Sequence, residues 1–324
     1  DLNVKFGTSC ARACAVTKLA PSVQPLKIHD SDFNAAFDGV KWTVEWKWEE
    51  QEPKIMNRCP MYPVPSECYE AFTREVDQWI TDGWMQEYDP SVHGQQDGVI
   101  PLMAVKQPNK QRKVRPVMDY RELNTHIISH PGLDTAVCQE KLRSWRGRSD
   151  QAYLLDLRKA YLQIHVSEQL QRFQVVKYKG KRYVMTRMGF GLNVAPKIMS
   201  KIISTVLELD DEVERGTDHY IDDIWVDASV VDVAKVKDHL AAYGLETKAP
   251  VPLRDARVLG LRVTEDEDGS YEWGRDGNLP VLSEVLTKRD VFSVFGKLIG
   301  HYPVAGWLRV ACSYVKRLAN EVEW

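Results

Sequence analysis

Apolar residues alternate with polar ones along Trp42-Thr-Val-Glu-Trp-Lys-Trp48, the period of a strand with one buried face. Before it, residues 1–60 carry little legible pattern, and Pro60, Pro63 and Pro65 punctuate a connector. Ser66 is placed to cap a helix whose apolar positions Phe72, Val76, Trp79 and Ile80 fall on one side, with Gly83 as its stop. Val99–Lys106 and Lys113–Tyr120 read as two strands around the polar turn Gln107–Gln111, a basic hairpin. Ala152–Leu157 is a short apolar run of the kind found in a buried strand. Phe173–Tyr178 and Arg182–Met188 predict a second hairpin around Lys179-Gly-Lys181.

Asn193 is then placed to cap a helix with Pro196 in its first turn and Ile198, Ile202, Ile203 and Val206 facing inward. His219–Asp227 reads as a tight hairpin with two acids at its tip. Ser229 opens a helix through Val233, Val236 and Leu240 that Gly244 stops. Arg257–Val263 and Ser270–Trp273 flank a turn at Asp266–Gly269, a third hairpin. Thr287-x-x-Asp290 is a capping box for a helix with Val291, Phe295, Leu298 and Ile299 on one side, and a last helix runs from about Gly306 to Asn320. Strands and helices mix without regular alternation and without an internal repeat, which predicts an α+β fold.

At 324 residues the chain can bury a substantial core, and 44% hydrophobic with 27% charged residues is a globular composition. No apolar run reaches the roughly 18 residues that cross a bilayer, so no membrane partner is expected. The chain begins at Asp1 with no leader pattern, so an excerpt of a longer or processed chain is expected. Six cysteines make no disulfide framework, and Cys10-x3-Cys14 lacks the partners of a zinc site; reduced thiols are expected. No GxGxxG or Walker loop is present, against a dinucleotide dehydrogenase or P-loop ATPase.

A net charge of −3 gives no global sign of nucleic acid, but the charge is uneven. Lys106, Lys110, Arg112, Lys113, Arg115 and Arg121 stand against Asp119 alone; Lys141, Arg143, Arg146 and Arg148 follow; Lys177–Lys201 carries seven bases and no acid. A single charge run is ordinarily a solvated face. Three of them interleaved with strand-like segments fit a groove that tracks phosphates.

Tyr220-Ile-Asp-Asp223 places two adjacent carboxylates among apolar residues, a costly arrangement near a core unless the charges are compensated. A solvated turn removes that cost for an isolated pair. Leu154-Leu-Asp-Leu157 adds Asp156 at the end of an apolar strand. Carboxylates from neighbouring strands supply the hard oxygen donors that suit Mg²⁺.

Asp156-Leu-Arg-Lys-Ala-Tyr161, Gly189-Phe-Gly-Leu-Asn-Val-Ala-Pro196 and Tyr220-Ile-Asp-Asp223 resemble, in order and spacing, the motifs of reverse transcriptases. Val114–Asn124 resembles the fingers segment upstream of them, and Val258-Leu-Gly-Leu261 the primer grip. The chain looks most like the enzymes of Gypsy-type LTR retrotransposons and retroviruses, over roughly Pro60–Asn320. The resemblance implies a right-hand polymerase: an N-terminal extension (1–60), fingers (61–150), a palm of antiparallel sheet with helices on one face (151–264, with a fingers insertion near 165–187), and a hairpin with a helical thumb (265–324).

By the same resemblance, Asp156, Asp222 and Asp223 hold two Mg²⁺ ions, with Mn²⁺ as a possible substitute and the Leu157 carbonyl as an extra ligand. Arg115, with Lys106 or Lys110, takes the triphosphate of the incoming dNTP, for which a planar guanidinium fork is suited. Tyr161 is the steric gate beneath the sugar, and Phe190 and Gly191 pack on the nucleotide and template. Lys248 matches the general acid for pyrophosphate, with a solvated surface lysine as the plain alternative. Tyr220, Leu259, Gly260 and Leu261 face nucleic acid at the primer terminus. Gly189 stands where the family usually has Pro, which is expected to loosen that loop; Lys159 and Trp225 are also atypical.

The expectation is therefore RNA-directed DNA synthesis on a primed RNA or DNA template, without an RNase H domain in this chain. It is expected in the cytoplasm within retrotransposon or virus-like particles, with protease, RNase H and integrase as polyprotein neighbours. One rival is a decayed homologue that binds nucleic acid or serves structurally, which the intact acids oppose. The other is an RNA polymerase, which Tyr161 opposes.

Overall fold

A computed structural model describes residues 23–96, 98–106, 114–130, 135–148, 151–275, 287–299 and 306–321. Trp42, Val44 and Trp46 all point to one buried face, and this alternation makes the third strand of an N-terminal meander. The meander is β1 (Leu26–His29), β2 (Phe33–Phe37) and β3 (Trp42–Trp46), each antiparallel to the next. The proline-rich connector leads into α1 (Ser66–Thr81), which buries Cys68, Phe72, Val76 and Trp79. Pro65, not Ser66, is its N-cap residue, and no side chain caps it; Pro65 already sets an extended backbone at that junction.

Next come β4 (Met85–Glu87), α2 (Pro90–His93) and the hairpin of β5 (Leu102–Lys106) and β6 (Val114–Met118). The turn of that hairpin, with Lys110, Arg112 and Lys113, lies outside the described residues. Then follow α3 (Arg121–Asn124), α4 (Thr135–Arg146) and β7 (Ala152–Asp156), with β8 (His165–Val166) joining the meander parallel to β3. After α5 (Glu168–Gln171), β9 (Val175–Tyr178) and β10 (Lys181–Met185) pair with β4 in the order β4-β10-β9.

The apolar positions read at Ile198, Ile202, Ile203 and Val206 lie on α6 (Ala195–Leu207) and are completely buried. Each such side chain contributes about 1.5–3 kcal/mol by leaving water. Helix α7 (Asp211–Gly216) precedes β11 (Thr217–Tyr220) and β12 (Asp223–Asp227), then α8 (Val233–Ala242) and β13 (Val251–Pro252). The central sheet runs β11-β12-β7-β13, all antiparallel. Leu155, Ile224 and Val226 on one face pack with α6 and α8 in the main core. Leu154 and Trp225 on the other face join a second cluster with Leu142 and Trp145 of α4.

Two further caps fall elsewhere than the pattern predicted. Val194 is the N-cap of α6, because Asn193 is drawn to Asn124 through two hydrogen bonds of 3.0 and 3.2 Å. Asp232 caps α8 by accepting from Ala234 N, while Ser229 binds Asp227 instead. The third hairpin is a three-stranded sheet of β14 (Arg257–Val258), β15 (Leu261–Glu265) and β16 (Tyr271–Gly274), because Leu259 and Gly260 break the first run with left-handed φ of 48° and 87°. Helix α9 (Lys288–Ile299) begins at the expected capping box, with Asp290 N donating to Thr287 Oγ1 at 3.2 Å and Thr287 N to Asp290 Oδ2 at 3.0 Å. It packs with α10 (Trp307–Asn320).

The basic clusters are less free than the sequence implied. Lys179 pairs with Asp77, Lys181 with Glu87, and Lys197 with Asp30 and Asp32. Lys141 pairs with Asp218. These acids come from distant parts of the chain, so a run without acids in sequence is partly neutralised in space.

Candidate active site

Antiparallel register sets Asp223 of β12 directly opposite Asp156 of β7. Tyr220 pairs with Asp223 across the tip of the β11–β12 hairpin, leaving Ile221 and Asp222 as the turn. Ile221 has φ of 57°, a left-handed conformation that a β-branched residue rarely adopts. The tip thus carries backbone strain where the two adjacent acids project.

Burial, reinforced by the charges of Asp222 and Asp156, pushes the Asp223 carboxyl up to about 7. Asp222 is also raised, chiefly by burial and then by Asp156, while Lys248 and Arg115 oppose the rise. Lys248 lies beside β7: its N–H donates to the Asp156 carbonyl at 2.8 Å and its Nζ to Asp156 Oδ2 at 2.5 Å. Leu157 forms a bridge to Thr247 in the same edge. Among the described residues, no three Asp, Glu, His or Cys side chains are already arranged around a common point for a metal. The chemistry of the set nevertheless fits a divalent cation. Three carboxylates share one lysine, and burial together with the neighbouring carboxylates raises Asp222 and Asp223, so hard oxygen donors are crowded here with little cationic compensation.

A second group adjoins the acids. Lys159, with left-handed φ of 55°, turns the chain after β7 so that Tyr161 follows in a single 3₁₀ turn. The Tyr161 ring meets Phe190 edge-on at 5.2 Å between centroids, and the Arg115 guanidinium stands 5.2 Å over the same Phe190 ring. Burial and then Asp222 push the Tyr161 hydroxyl up to about 12, so it stays protonated. Gly191 has φ of 112°, and a Cβ there would come within 3.0 Å of the Met118 carbonyl. Only glycine suits that approach. Gly189 is not loose: a Cβ there would meet the Tyr120 hydroxyl at 2.1 Å, and that hydroxyl is fixed by Gln174 Oε1 at 2.6 Å.

Asp156, Leu157, Asp222, Asp223, Lys248, Arg115, Tyr161, Phe190 and Gly191 are therefore gathered into one region. Lys106 is not. On β5 it follows Val105, the residue opposite Arg115, and alternation turns it to the other face, where it pairs with Glu67 at 2.8 Å. Lys110 lies outside the described residues. Leu261 is 1% exposed within the second cluster, so its side chain is core and not a contact surface. Tyr220 and Leu259 lean on that same cluster, whereas a Cβ at Gly260 would meet open space.

Two groups escaped the sequence reading. Asn124 donates to the Gly191 carbonyl at 2.9 Å and accepts from Asn193 N, clasping the Phe190 loop to α3. Its only sequence signal was its place at the end of the fingers-like segment. Asp218 on β11 receives Lys141, Trp145 Nε1 at 2.8 Å and Arg148 at 3.4 Å, fastening α4 to the strand that presents the acids. Burial opposes its ionisation, but the hydrogen bonds from Lys141 and Trp145 hold its carboxyl below the usual range. Nothing in one dimension pairs a lysine on a helix with that aspartate.

Residues 106–249, which contain nearly all of this geometry, match the family model described as reverse transcriptase (RNA-dependent DNA polymerase). These residues are a reverse transcriptase domain. Residues 287–324 match a domain of unknown function, DUF7047. A curated relative of the reverse transcriptase region is the retrovirus-related Pol polyprotein from transposon opus of Drosophila melanogaster, 28% identical over 168 residues. That match covers 51% of this chain and 16% of the relative, so the chain spans less than a fifth of that protein's length. Two solved structures of foamy viral protease-reverse transcriptase, both in complex with double-stranded DNA, share the fold with a TM-score of 0.58. They are 17% and 18% identical, and the matches cover 77% of this chain and 44% and 54% of those chains. The reverse transcriptase expected from the motifs is thus matched over residues 106–249, and the α+β polymerase fold is shared with those structures. No helix among the described residues is long and apolar enough to cross a membrane.

Proposed function

We propose that the chain is an RNA-directed DNA polymerase that extends a primer with dNTPs on an RNA or DNA template. The observation that carries this reading is the Asp223–Asp156 opposition, with Asp222 at the strained tip beside them. Asp156, Asp222 and Asp223, with the Leu157 carbonyl, would hold two Mg²⁺ ions, for which Mn²⁺ is a possible substitute. When bound, the metals supply Lewis acidity for the attacking hydroxyl and the leaving phosphate oxygen.

The chain's own residues orient the rest. Arg115 presents a guanidinium fork to the triphosphate, steadied over Phe190. Tyr161 walls off the sugar 2′ position, and Phe190 with Gly191 forms the surface on which the base pair lies. The primer 3′-hydroxyl attacks the α-phosphate, the bond to the bridging oxygen breaks, and pyrophosphate leaves. Lys248, within reach of the acids, is the candidate donor of a proton to that pyrophosphate. Gly260 and the Leu259 backbone face the primer end. Lys106, held on the other face by Glu67, is left out of this set.

The same reading assigns 61–150 to fingers, 151–264 to palm and 265–324 to a hairpin and thumb. It makes protease, RNase H and integrase the expected polyprotein neighbours, with retrotransposon particles as the setting. Polymerisation, not RNA cleavage, is the activity proposed for these residues. Primer extension on RNA and DNA templates with Mg²⁺, comparing dNTPs with rNTPs, tests it. DNA synthesis from dNTPs on RNA supports the reading, and binding without extension favours the decayed homologue.

A further inference from the structure

We infer that the cleft between the end of α4 and the β15–β16 hairpin binds a nucleoside phosphate, free or as one unpaired nucleotide of a strand. It measures about 300 Å³, at the small end of ligand pockets. Trp145 and Leu253 form its buried floor, and Arg146, Arg148, Tyr271 and Trp273 stand around it. No carboxylate side chain lines it among the described residues.

These arginines belong to the 141–148 basic run, which the proposed polymerase site does not use. Lys141 in that run is neutralised by Asp218. Arg148 shares Asp218 at a longer 3.4 Å, and Arg146 has no ion-pair partner among the described residues. Arg146 instead stands 5.9 Å over the Trp273 ring. A guanidinium over an aromatic face keeps its N–H fork free for a phosphate while the ring remains a platform for a planar base. Two cationic forks, two rings and an apolar floor, with no acid among the described lining residues, are the elements that bind single-stranded nucleotides. An acidic peptide would use the cations but has no use for the ring platform.

The cleft is separate from the acids, since none of Asp156, Asp222, Asp223, Arg115 and Tyr161 lines it. Its wall is nevertheless tied to them. Trp145 and Arg148 both bind Asp218, two residues before Tyr220 on β11. The preference for a nucleotide over other planar anions leans on the nucleic-acid reading; the charge and rings stand without it.

The test is direct binding in EDTA, so it reads out whether or not the chain polymerises. Titration calorimetry is run with 5′-AMP and with a ten-nucleotide oligo(dA), for the wild type, Arg146→Glu, Trp273→Leu and Arg143→Glu. Arg143 carries the same charge on the same helix but does not line the cleft. Arg146→Glu and Trp273→Leu should each weaken binding about tenfold, and Arg143→Glu less than about threefold. A loss seen with AMP identifies a free nucleotide, and a loss confined to the oligonucleotide identifies a strand. Equal losses for Arg143→Glu and Arg146→Glu would overturn the proposal, as would an acidic peptide competing as well as the oligonucleotide. Should Trp273→Leu fail to fold by circular dichroism, the arginine pair decides alone.

Discussion

The ammonium of Lys248 lies 2.5 Å from the Asp156 carboxylate, across from the strand that carries Asp223. Both side chains are about half exposed, at 53% and 49%. An ion pair so open to water is worth at most about 1 kcal/mol, so a divalent cation can displace it. Removing the ammonium should free Asp156 and remove the candidate proton donor together. Lys248→Met should therefore lower the half-saturating Mg²⁺ concentration for primer extension while reducing kcat about tenfold or more. A Mg²⁺ titration of the extension rate measures both. A higher Mg²⁺ requirement would show that Lys248 assists the site rather than competing for Asp156.

Asp222→Asn keeps the size of the turn side chain and removes one carboxylate from the three. Extension should fall by about a thousandfold, roughly 4 kcal/mol in the barrier. Primer–template affinity at low salt should stay within a few-fold, because the phosphate contacts lie elsewhere. Rapid-quench extension alongside filter binding checks the pair of outcomes. Activity retained within a few-fold would remove Asp222 from the metal set.

The ring of Tyr161 is fixed edge-on to Phe190, so truncation opens a definite space, which on the proposed reading lies beneath the sugar. Tyr161→Ala should raise incorporation of rNTP relative to dNTP at least tenfold, about 1.4 kcal/mol of discrimination. Single-nucleotide incorporation with each sugar gives the ratio. An unchanged ratio would make Tyr161 a packing residue.

Burial, followed by Arg187 and Lys41, lowers the His165 imidazole from 6.5 to about 4. Its Nδ1 meets the Arg187 guanidinium at 3.0 Å, an arrangement for a neutral ring. The unfolded chain takes up the proton first as pH falls. Stability from this site is therefore complete above about pH 6.5 and drains away between there and about pH 4. His165→Gln should flatten the fall in melting temperature across that window, leaving the remaining slope to other groups. An identical slope in the variant, read by calorimetry from pH 7 to 4.5, would exclude His165 as its source.

Much of the site was legible because its chemistry is carried by short contiguous segments. Asp156–Tyr161, Gly189–Gly191 and Tyr220–Asp223 each keep their functional groups within a few residues. The main helices were legible from the apolar spacing of Ile198, Ile202, Ile203 and Val206. What one dimension could not give was partnership at a distance. Lys106 looked like a phosphate ligand until strand alternation turned it toward Glu67. Leu261 belonged to a plausible primer-facing tripeptide, yet the left-handed turn at Leu259–Gly260 sends its side chain into the core. Asn193 matched a helix cap, but Asn124 competes for it from the end of α3. Gly189 looked permissive, and the Tyr120 hydroxyl fills the space.

The parallel pairing of β3 with β8 joins Thr43 to His165, about 120 residues along the chain. On a ribosome the meander can form early, but its fourth strand is not yet made. The loop that must close contains α1, the β5–β6 hairpin and β7 with Asp156, so that closure carries a large entropic cost. The exposed edge of β3 has to remain unpaired, and out of reach of other chains, for as long as that stretch takes to emerge. Closure of the four-stranded sheet is thus a non-local step, and crowded synthesis should favour misassembly at this edge before any fault reaches the carboxylates.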